Sequence, residues 1–262
     1  ILRLKPTAII AVPSFIVKLI SYAQEHKIDI NNTTIKKALC VGENIRNADF
    51  SLNALGKKIT DAWDIKLFST YASTEMQTAF TECTECKGGH LQPDLLIVEL
   101  LDEMGKAVVP GEPGEVTITT LGVEGMPLLR YKTGDICVYD DTPCACGRNS
   151  LRLSPVMGRK KQMLKYKGTT LYPPALFDIL HEMENVIEYV AEVSSNEMGT
   201  DEVLIYIVPD NFDEETNRKI RANLQARLRV SPHIKYITEE EIKKIQMPEA
   251  GRKIIRFIDR RN

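Results

Sequence analysis

Apolar and polar positions follow three successive patterns along this chain. Residues 7–12 form an apolar run, T-A-I-I-A-V, closed by Pro13; Ile16, Leu19, Ile20 and Ala23 then recur at helical spacing behind Ser14, a residue able to cap a helix. The runs K-A-L-C-V-G at 37–42 and I-K-L-F-S-T-Y at 65–71 bracket a helix expected near 47–59. Such alternation of strand and helix predicts a parallel sheet covered by helices. From Leu95 to Asp140 the texture changes to short strands, L-L-I-V-E-L-L, E-V-T-I-T-T-L and D-I-C-V-Y-D, separated by D-E-M-G-K and P-G-E-P-G turns, which predicts antiparallel or barrel-like β structure. Beyond G-R-K-K, amphipathic helices are expected near 174–183 and 213–228, with strands V-I-E-Y-V-A-E-V and D-E-V-L-I-Y-I-V between them. About a hundred residues of this content suit a separate small α+β domain, and the boundary is placed so that 1–160 and 161–262 are distinct.

Composition narrows the function classes. The 262 residues are 43% hydrophobic, enough for real cores, and 34 basic against 36 acidic side chains leave a net charge of -2. No basic footprint for a phosphate backbone or an anionic membrane exists, so neither nucleic acid nor membrane is an expected partner. No apolar run reaches the roughly 18 residues of a spanning helix, and the N-terminus lacks a charged-then-apolar signal segment; the expected compartment is the cytoplasm. The abrupt start, with Ile1 leading into an apparently buried strand, gives the expectation that an upstream portion is absent.

Six cysteines are too few for a disulfide scaffold. Cys40 and Cys137 lie in apolar runs and read as core. The other four fall in T-E-C-T-E-C-K-G-G-H at 81–90 and P-C-A-C-G-R at 143–148. Two knuckles of this kind suit tetrahedral zinc, and spacing alone favours an all-cysteine set of Cys83, Cys86, Cys144 and Cys146.

Four further motifs occur in one order: Y-A-S-T-E at 71–75, Y-K-T-G-D at 131–135, G-R-K-K-Q-M-L-K-Y-K-G at 158–168 and G-R-K-I-I-R at 251–256. Together they resemble the AMP-forming adenylating enzymes, the superfamily of acyl-CoA synthetases and peptide-synthetase adenylation domains. The T-E-C after Y-x-x-T-E, then H-L-Q-P-D, G-E-P-G-E-V, M-P-L-L-R-Y-K-T-G-D and C-x-C-G-R, place the likeness in the phenylacetate-CoA ligase branch. It extends over essentially the whole chain but leaves out the family's N-terminal part with its phosphate loop.

The resemblance implies the rear part of a large α/β plus β-barrel-like adenylation domain, followed by a small, mobile α+β domain. It implies ATP-dependent formation of an acyl-adenylate from an aromatic or small carboxylic acid, then thioester formation with coenzyme A, in a protein for which a homodimer is the prior. Thr74 would donate its hydroxyl to phosphate and Glu75 would hold Mg²⁺, a hard cation that prefers oxygen ligands. Tyr71 would offer an aromatic face to adenine, Asp135 would accept the ribose hydroxyls, and Arg159 would contact ribose and phosphate. Gly42 and Glu43 in V-G-E-N would flank the adenine. Ala72 stands where many relatives have glycine. Lys161 marks the family's hinge, Lys165 matches a lysine that several relatives present to the site, and Lys253 would bridge substrate carboxylate and α-phosphate. Relatives read Gly-Lys where this chain has Gly251-Arg252-Lys253, so the register there is open. Metal-bearing relatives imply a structural Zn²⁺ on Cys83, His90, Cys144 and Cys146, against the all-cysteine set; Cys86 and His90 both stay open as the fourth ligand. Two other readings are nucleotidyl transfer to a non-carboxylate acceptor, and a zinc-stapled binding module with degenerate catalytic motifs.

Overall fold

The computed structural model describes the chain except for residues 167–168, 197–200, 229, 248–253 and 262 and the side chains at 165, 169 and 170. It divides into two compact units, Ile1–Lys160 and Lys161–Asn262. Among the described residues no helix is long and apolar enough to cross a membrane.

The first unit is mixed α/β. Strands β1 (Ala8–Ala11), β2 (Lys37–Cys40) and β3 (Lys66–Ala72) are parallel neighbours, joined through helices α1 (Pro13–Glu25) and α2 (Ala54–Ala62). Helix α1 buries Ile16, Ile20 and Ala23, the stripe that the 3.6-residue period puts on one face, against Ile35, Ala38, Cys40, Ile59 and Trp63. Helix α2 begins later than the apolar spacing suggested. Residues 47–51 close a turn, with the Asn47 amide donating to the Ser51 carbonyl at 2.9 Å, and the Asn53 side chain accepts the Gly56 N–H at 2.9 Å as the N-cap.

After Ala72 the sheet changes sense. Strands β4 (Ala79–Glu82), β5 (Gly89–His90), β9 (Tyr139–Asp140) and β10 (Arg152–Leu153) add antiparallel, giving the order β1-β2-β3-β4-β5-β10-β9. The rest of the β-rich stretch forms a four-stranded antiparallel sheet, β11-β8-β7-β6, from β6 (Leu96–Leu101), β7 (Gly114–Thr120), β8 (Tyr131–Cys137) and β11 (Gly158–Arg159). Met76, Phe80, Leu96, Leu100, Val116, Ile118, Cys137 and Leu153 form a common core.

The second unit is α+β. Strands β14 (Val186–Ser195) and β15 (Asp201–Pro209) pair antiparallel, flanked in parallel by β17 (Phe257–Asp259) and β16 (His233–Tyr236); β12 (Leu164–Tyr166) and β13 (Thr169–Leu171) form a separate pair. Side-chain alternation splits the central strands. Tyr189, Ala191, Val193, Ile205 and Ile207 face helices α3 (Pro173–His181) and α4 (Glu214–Leu228), while Val190 and Val208 face α5 (Glu239–Gln246). The sequence reading missed α5, which has eight residues. Its signal was T-E-E-E at 238–241: Thr238 and Glu241 form a capping box, each side chain accepting the other's backbone N–H.

Candidate functional site

In an open parallel sheet, ligands collect beyond the carboxyl ends of the strands. Here the segments that leave β1, β2 and β3 carry Ser14, Gly42–Glu43 and Thr74–Glu75, so topology alone sets most of the expected nucleotide motif on one sheet edge. Thr74–Met76 is a single 3-10 turn anchored by Met76, which is fully buried; Thr74 and Glu75 are left exposed. Hydrogen bonding from its own backbone N–H holds the Glu75 carboxyl below the usual carboxylate range, so it is an ionised oxygen donor near neutral pH.

Tyr71, near the end of β3, reaches across to the second sheet and donates its hydroxyl to Asp135 Oδ2 at 2.8 Å. Burial pushes the phenol above its ordinary value, so it stays a donor. The other oxygen of Asp135 accepts from Arg159 Nε at 3.1 Å, and the two residues are direct cross-strand partners on β8 and β11. The Asp135 amide is held by the Thr133 hydroxyl at 3.1 Å, which itself donates to the Val116 carbonyl at 2.8 Å. The Asp135 side chain is only 11% exposed, whereas that of Arg159 is 65% exposed. The structure therefore joins Tyr71, Asp135 and Arg159 in one cluster, with a fixed carboxylate between a buried donor and an open guanidinium.

The V-G-E-N-I-R loop after β2 is tied down at successive residues. Gly42 adopts a φ of 81°, in the left-handed region that favours glycine. Glu43, expected to flank an adenine, has its carboxylate hydrogen-bonded to the start of α1: Oε2 accepts the Ser14 amide and Oε1 the Ser14 hydroxyl, both at 2.9 Å. This also corrects the reading of Ser14. The N-cap position falls on Val12, with Pro13 first in the helix, and no local side chain caps it; the acceptor for an orphan amide is imported from 29 residues away. Asn44 Nδ2 donates to the Val156 carbonyl at 2.8 Å, two residues before β11. Arg46 is buried against Glu82, with Nε to Oε1 at 2.7 Å.

Cys83, His90, Cys144 and Cys146 have their ligand atoms all within 4.8 Å of one another. Cys83 Sγ lies 3.7 Å from Cys144 Sγ, and Cys146 Sγ lies 3.5 Å from His90 Nε2. A disulfide needs about 2.05 Å, whereas the edge of a tetrahedron with metal–sulfur bonds of about 2.3 Å is roughly 3.8 Å. The donor set fits a closed tetrahedral site. Burial lowers the His90 pKa, with Arg148 and Arg152 adding to it, so the imidazole is neutral and has a lone pair to give. The Arg148 backbone N–H lowers the Cys146 thiol, while burial raises that of Cys83 to about 11. Cys86 does not join the cluster. It sits at a left-handed φ of 56°, and its thiol lies 3.7 Å from the Thr84 carbonyl, so the all-cysteine set expected from spacing is corrected in favour of His90. Gly88 and Gly89 bring His90 in: a Cβ on either would lie 2.6 Å from the Leu153 carbonyl oxygen or 2.7 Å from the Phe80 backbone.

No family model matches the chain. A phenylacetate-coenzyme A ligase of Thermus thermophilus is 30% identical over 172 residues, covering 64% of this chain and 39% of that enzyme. One of Aromatoleum evansii is 28% identical over 212 residues, covering 79% of this chain and 46% of that enzyme. The chain spans less than half the length of these curated relatives. Among solved structures, 2-hydroxyisobutyryl-CoA ligase in the postadenylation state, in complex with 2-HIB-AMP, shares the fold with a TM-score of 0.78 at 22% identity, covering 98% of this chain and 55% of that one. The chain is similar in sequence to phenylacetate-coenzyme A ligases and shares the fold of an acyl-CoA ligase.

The first unit holds every expected nucleotide and metal residue on described positions. The two lysines fare differently. Lys253 lies outside the described residues, and so does the side chain of Lys165, whose backbone pairs with Thr170 in β12 and β13. Sequence reasoning missed the supporting residues Asn44, Arg46, Glu82 and Thr133, and gave Ser14 a different role. Glu82 carried a faint signal, an acidic residue in an otherwise buried strand directly before Cys83.

Proposed function

We propose that the protein carrying this chain is an AMP-forming carboxylate–CoA ligase. A carboxylate oxygen attacks the α-phosphorus of ATP and pyrophosphate leaves; the coenzyme A thiol then attacks the acyl carbon, giving the thioester and AMP. The observation that carries this reading is the cluster of Tyr71, Asp135 and Arg159 across two sheets, beside an exposed Thr74–Glu75 turn, in a chain similar to phenylacetate-coenzyme A ligases. Asp135 can accept from ribose hydroxyls because each carboxylate oxygen keeps a free lone pair. Arg159 adds an open fork of donors for ribose and phosphate. Glu75 would hold Mg²⁺, which supplies countercharge at the phosphates, and Thr74 would donate to a phosphate oxygen.

Residues 1–160 would be the rear of the nucleotide-binding domain and 161–262 the small domain that moves about Lys161, bringing Lys253 and Lys165 to the reacting centre at different stages. Cys83, His90, Cys144 and Cys146 would hold a structural Zn²⁺. Four protein ligands leave no open coordination position for water, so the ion would fix the loops after β4 and β9 rather than take part in chemistry. A cytoplasmic homodimer goes with this reading, since a reducing compartment keeps thiols available as ligands.

Pyrophosphate release from ATP, screened against aryl and short acyl acids, tests the proposal. At least one aryl acid should release pyrophosphate and then yield a thioester on adding coenzyme A. Lys253→Ala should abolish release yet spare thioester formation from supplied acyl-adenylate; silence with every acid would overturn the reading. Tyr71→Phe removes one hydrogen bond to a charged carboxylate, worth about 1.5 kcal/mol, so urea denaturation should show the first unit destabilised by about that much. An unchanged stability would show that Asp135 needs no help from Tyr71.

A further inference from the structure

Histidine as a metal ligand poses a problem that its thiolate neighbours do not. It has two ring nitrogens, and the one facing the metal presents a lone pair only if the proton resides on the other. His90 is 1% exposed, so water is a poor candidate to settle which nitrogen carries it. Its Nε2 faces Cys146 Sγ at 3.5 Å, while Nδ1 lies 3.1 Å from the Ser150 hydroxyl oxygen.

Ser150 is brought there by the chain that leaves the second knuckle. Gly147, at a φ of 91°, turns the backbone so that the Cys144 amide donates to the Arg148 carbonyl at 3.0 Å. The segment then runs into β10, where Arg152 is the cross-strand partner of His90 and the Leu91 amide donates to the Leu151 carbonyl at 2.8 Å. Ser150 thus stands two residues from the position directly opposite His90, within reach of its ring. Every second residue of this run serves the site. Arg148 Nη1 lies 4.0 Å from Cys146 Sγ. Arg152 is buried and donates to Asp140 Oδ2 at 2.7 Å and the Thr142 carbonyl at 3.1 Å on one loop, and to the Lys87 carbonyl at 3.4 Å on the other. The two loops are therefore held together by protein contacts as well as by the cluster itself.

We propose that Ser150 is the positioning residue of this metal site: its hydroxyl accepts the Nδ1–H of His90 and so presents the Nε2 lone pair toward the three sulfurs. The inference rests on the zinc reading above. It assigns the odd-one-out ligand a dedicated partner, and it accounts for a serine two residues before the buried Arg152.

Zinc affinity of the full chain, measured by competition with a chromophoric chelator, is the test. Ser150→Ala should weaken zinc binding about 10- to 100-fold, with the circular dichroism of the fold retained, and Ser150→Thr should restore it. A structural role would not depend on which ligand occupies position 90. In a His90→Cys background, where no ring remains to be oriented, Ser150→Ala should therefore change nothing. Equal affinity of native and Ser150→Ala chains, or an equal loss in the His90→Cys background, would overturn the assignment. Nitrogen-15 NMR of the zinc-loaded native chain reads the tautomer without any variant: a proton on Nδ1 is expected, and a proton on Nε2 overturns it. A native chain that takes up no zinc removes the metal reading and this proposal together, whereas zinc bound as tightly without the serine removes this proposal alone.

Discussion

Arg46→Ala is expected to lower the stability of the first unit by about 3–5 kcal/mol, the cost of leaving one member of a buried ion pair without its partner. The side chains of Arg46 and Glu82 are 8% and 2% exposed. Glu82 accepts Arg46 Nε at 2.7 Å on one oxygen and the Ser69 amide at 2.8 Å on the other. The remaining nitrogens of Arg46 donate to the carbonyls of Phe50 and Leu67 at 3.0 and 3.2 Å. Alanine would strand a carboxylate and two carbonyls in the core, and lysine would not substitute, because a single ammonium cannot serve three separated acceptors in the plane of a guanidinium. Urea denaturation measures the effect. Arg46→Met together with Glu82→Leu should recover much of the loss, since the penalty is the unpaired charge and not the missing attraction. A loss below about 1 kcal/mol for Arg46→Ala would mean that water reaches Glu82.

Removing zinc from the loaded chain is expected to lower the thermal midpoint by roughly 8–16 °C. A site filled at about a thousand times its dissociation constant contributes about 4 kcal/mol, and each kcal/mol moves the midpoint by about 2–4 °C in domains of this size. Calorimetry before and after chelation reads the shift. Cys144→Ser should reproduce it without a chelator, because Cys144 lies inside the cluster, whereas Cys86→Ser should leave the midpoint unchanged. A metal-free chain that melts with the loaded one would sink the structural role. Glu82 and Cys83 are consecutive, so the ion pair and the Cys/His cluster grip the same strand end. From there β4 runs back to pair Phe80 with Tyr71 and Ala79 with Ala72. The two predictions thus bear on the support beneath the nucleotide motif.

The broad reading came from the order of residues. Apolar spacing at 16, 20 and 23 and the runs at 7–12, 37–42 and 65–71 sufficed for the βαβ half, because a buried stripe must repeat with the period of its element. Motif order sufficed for the likeness to phenylacetate-coenzyme A ligases. Where local pattern failed, it failed for physical reasons. The start of α2 was set by a turn and an asparagine cap rather than by apolar spacing. Helix α5 was too short for its periodicity to show.

The candidate site divides along the same line. The sequence by itself determined which donors are available: a tyrosine, an aspartate and an arginine in ordered motifs, four thiols and an imidazole on two knuckles. Only the tertiary structure decided how they are used. It paired Tyr71 with Asp135 across 64 positions, spent Glu43 on the end of a helix, turned Cys86 away from the cluster and brought His90 into it. Those outcomes depend on sheet register and on the backbone turns at Cys86, Gly88 and Gly147. Register is fixed by the sum of cross-strand packing, not by any short stretch of sequence.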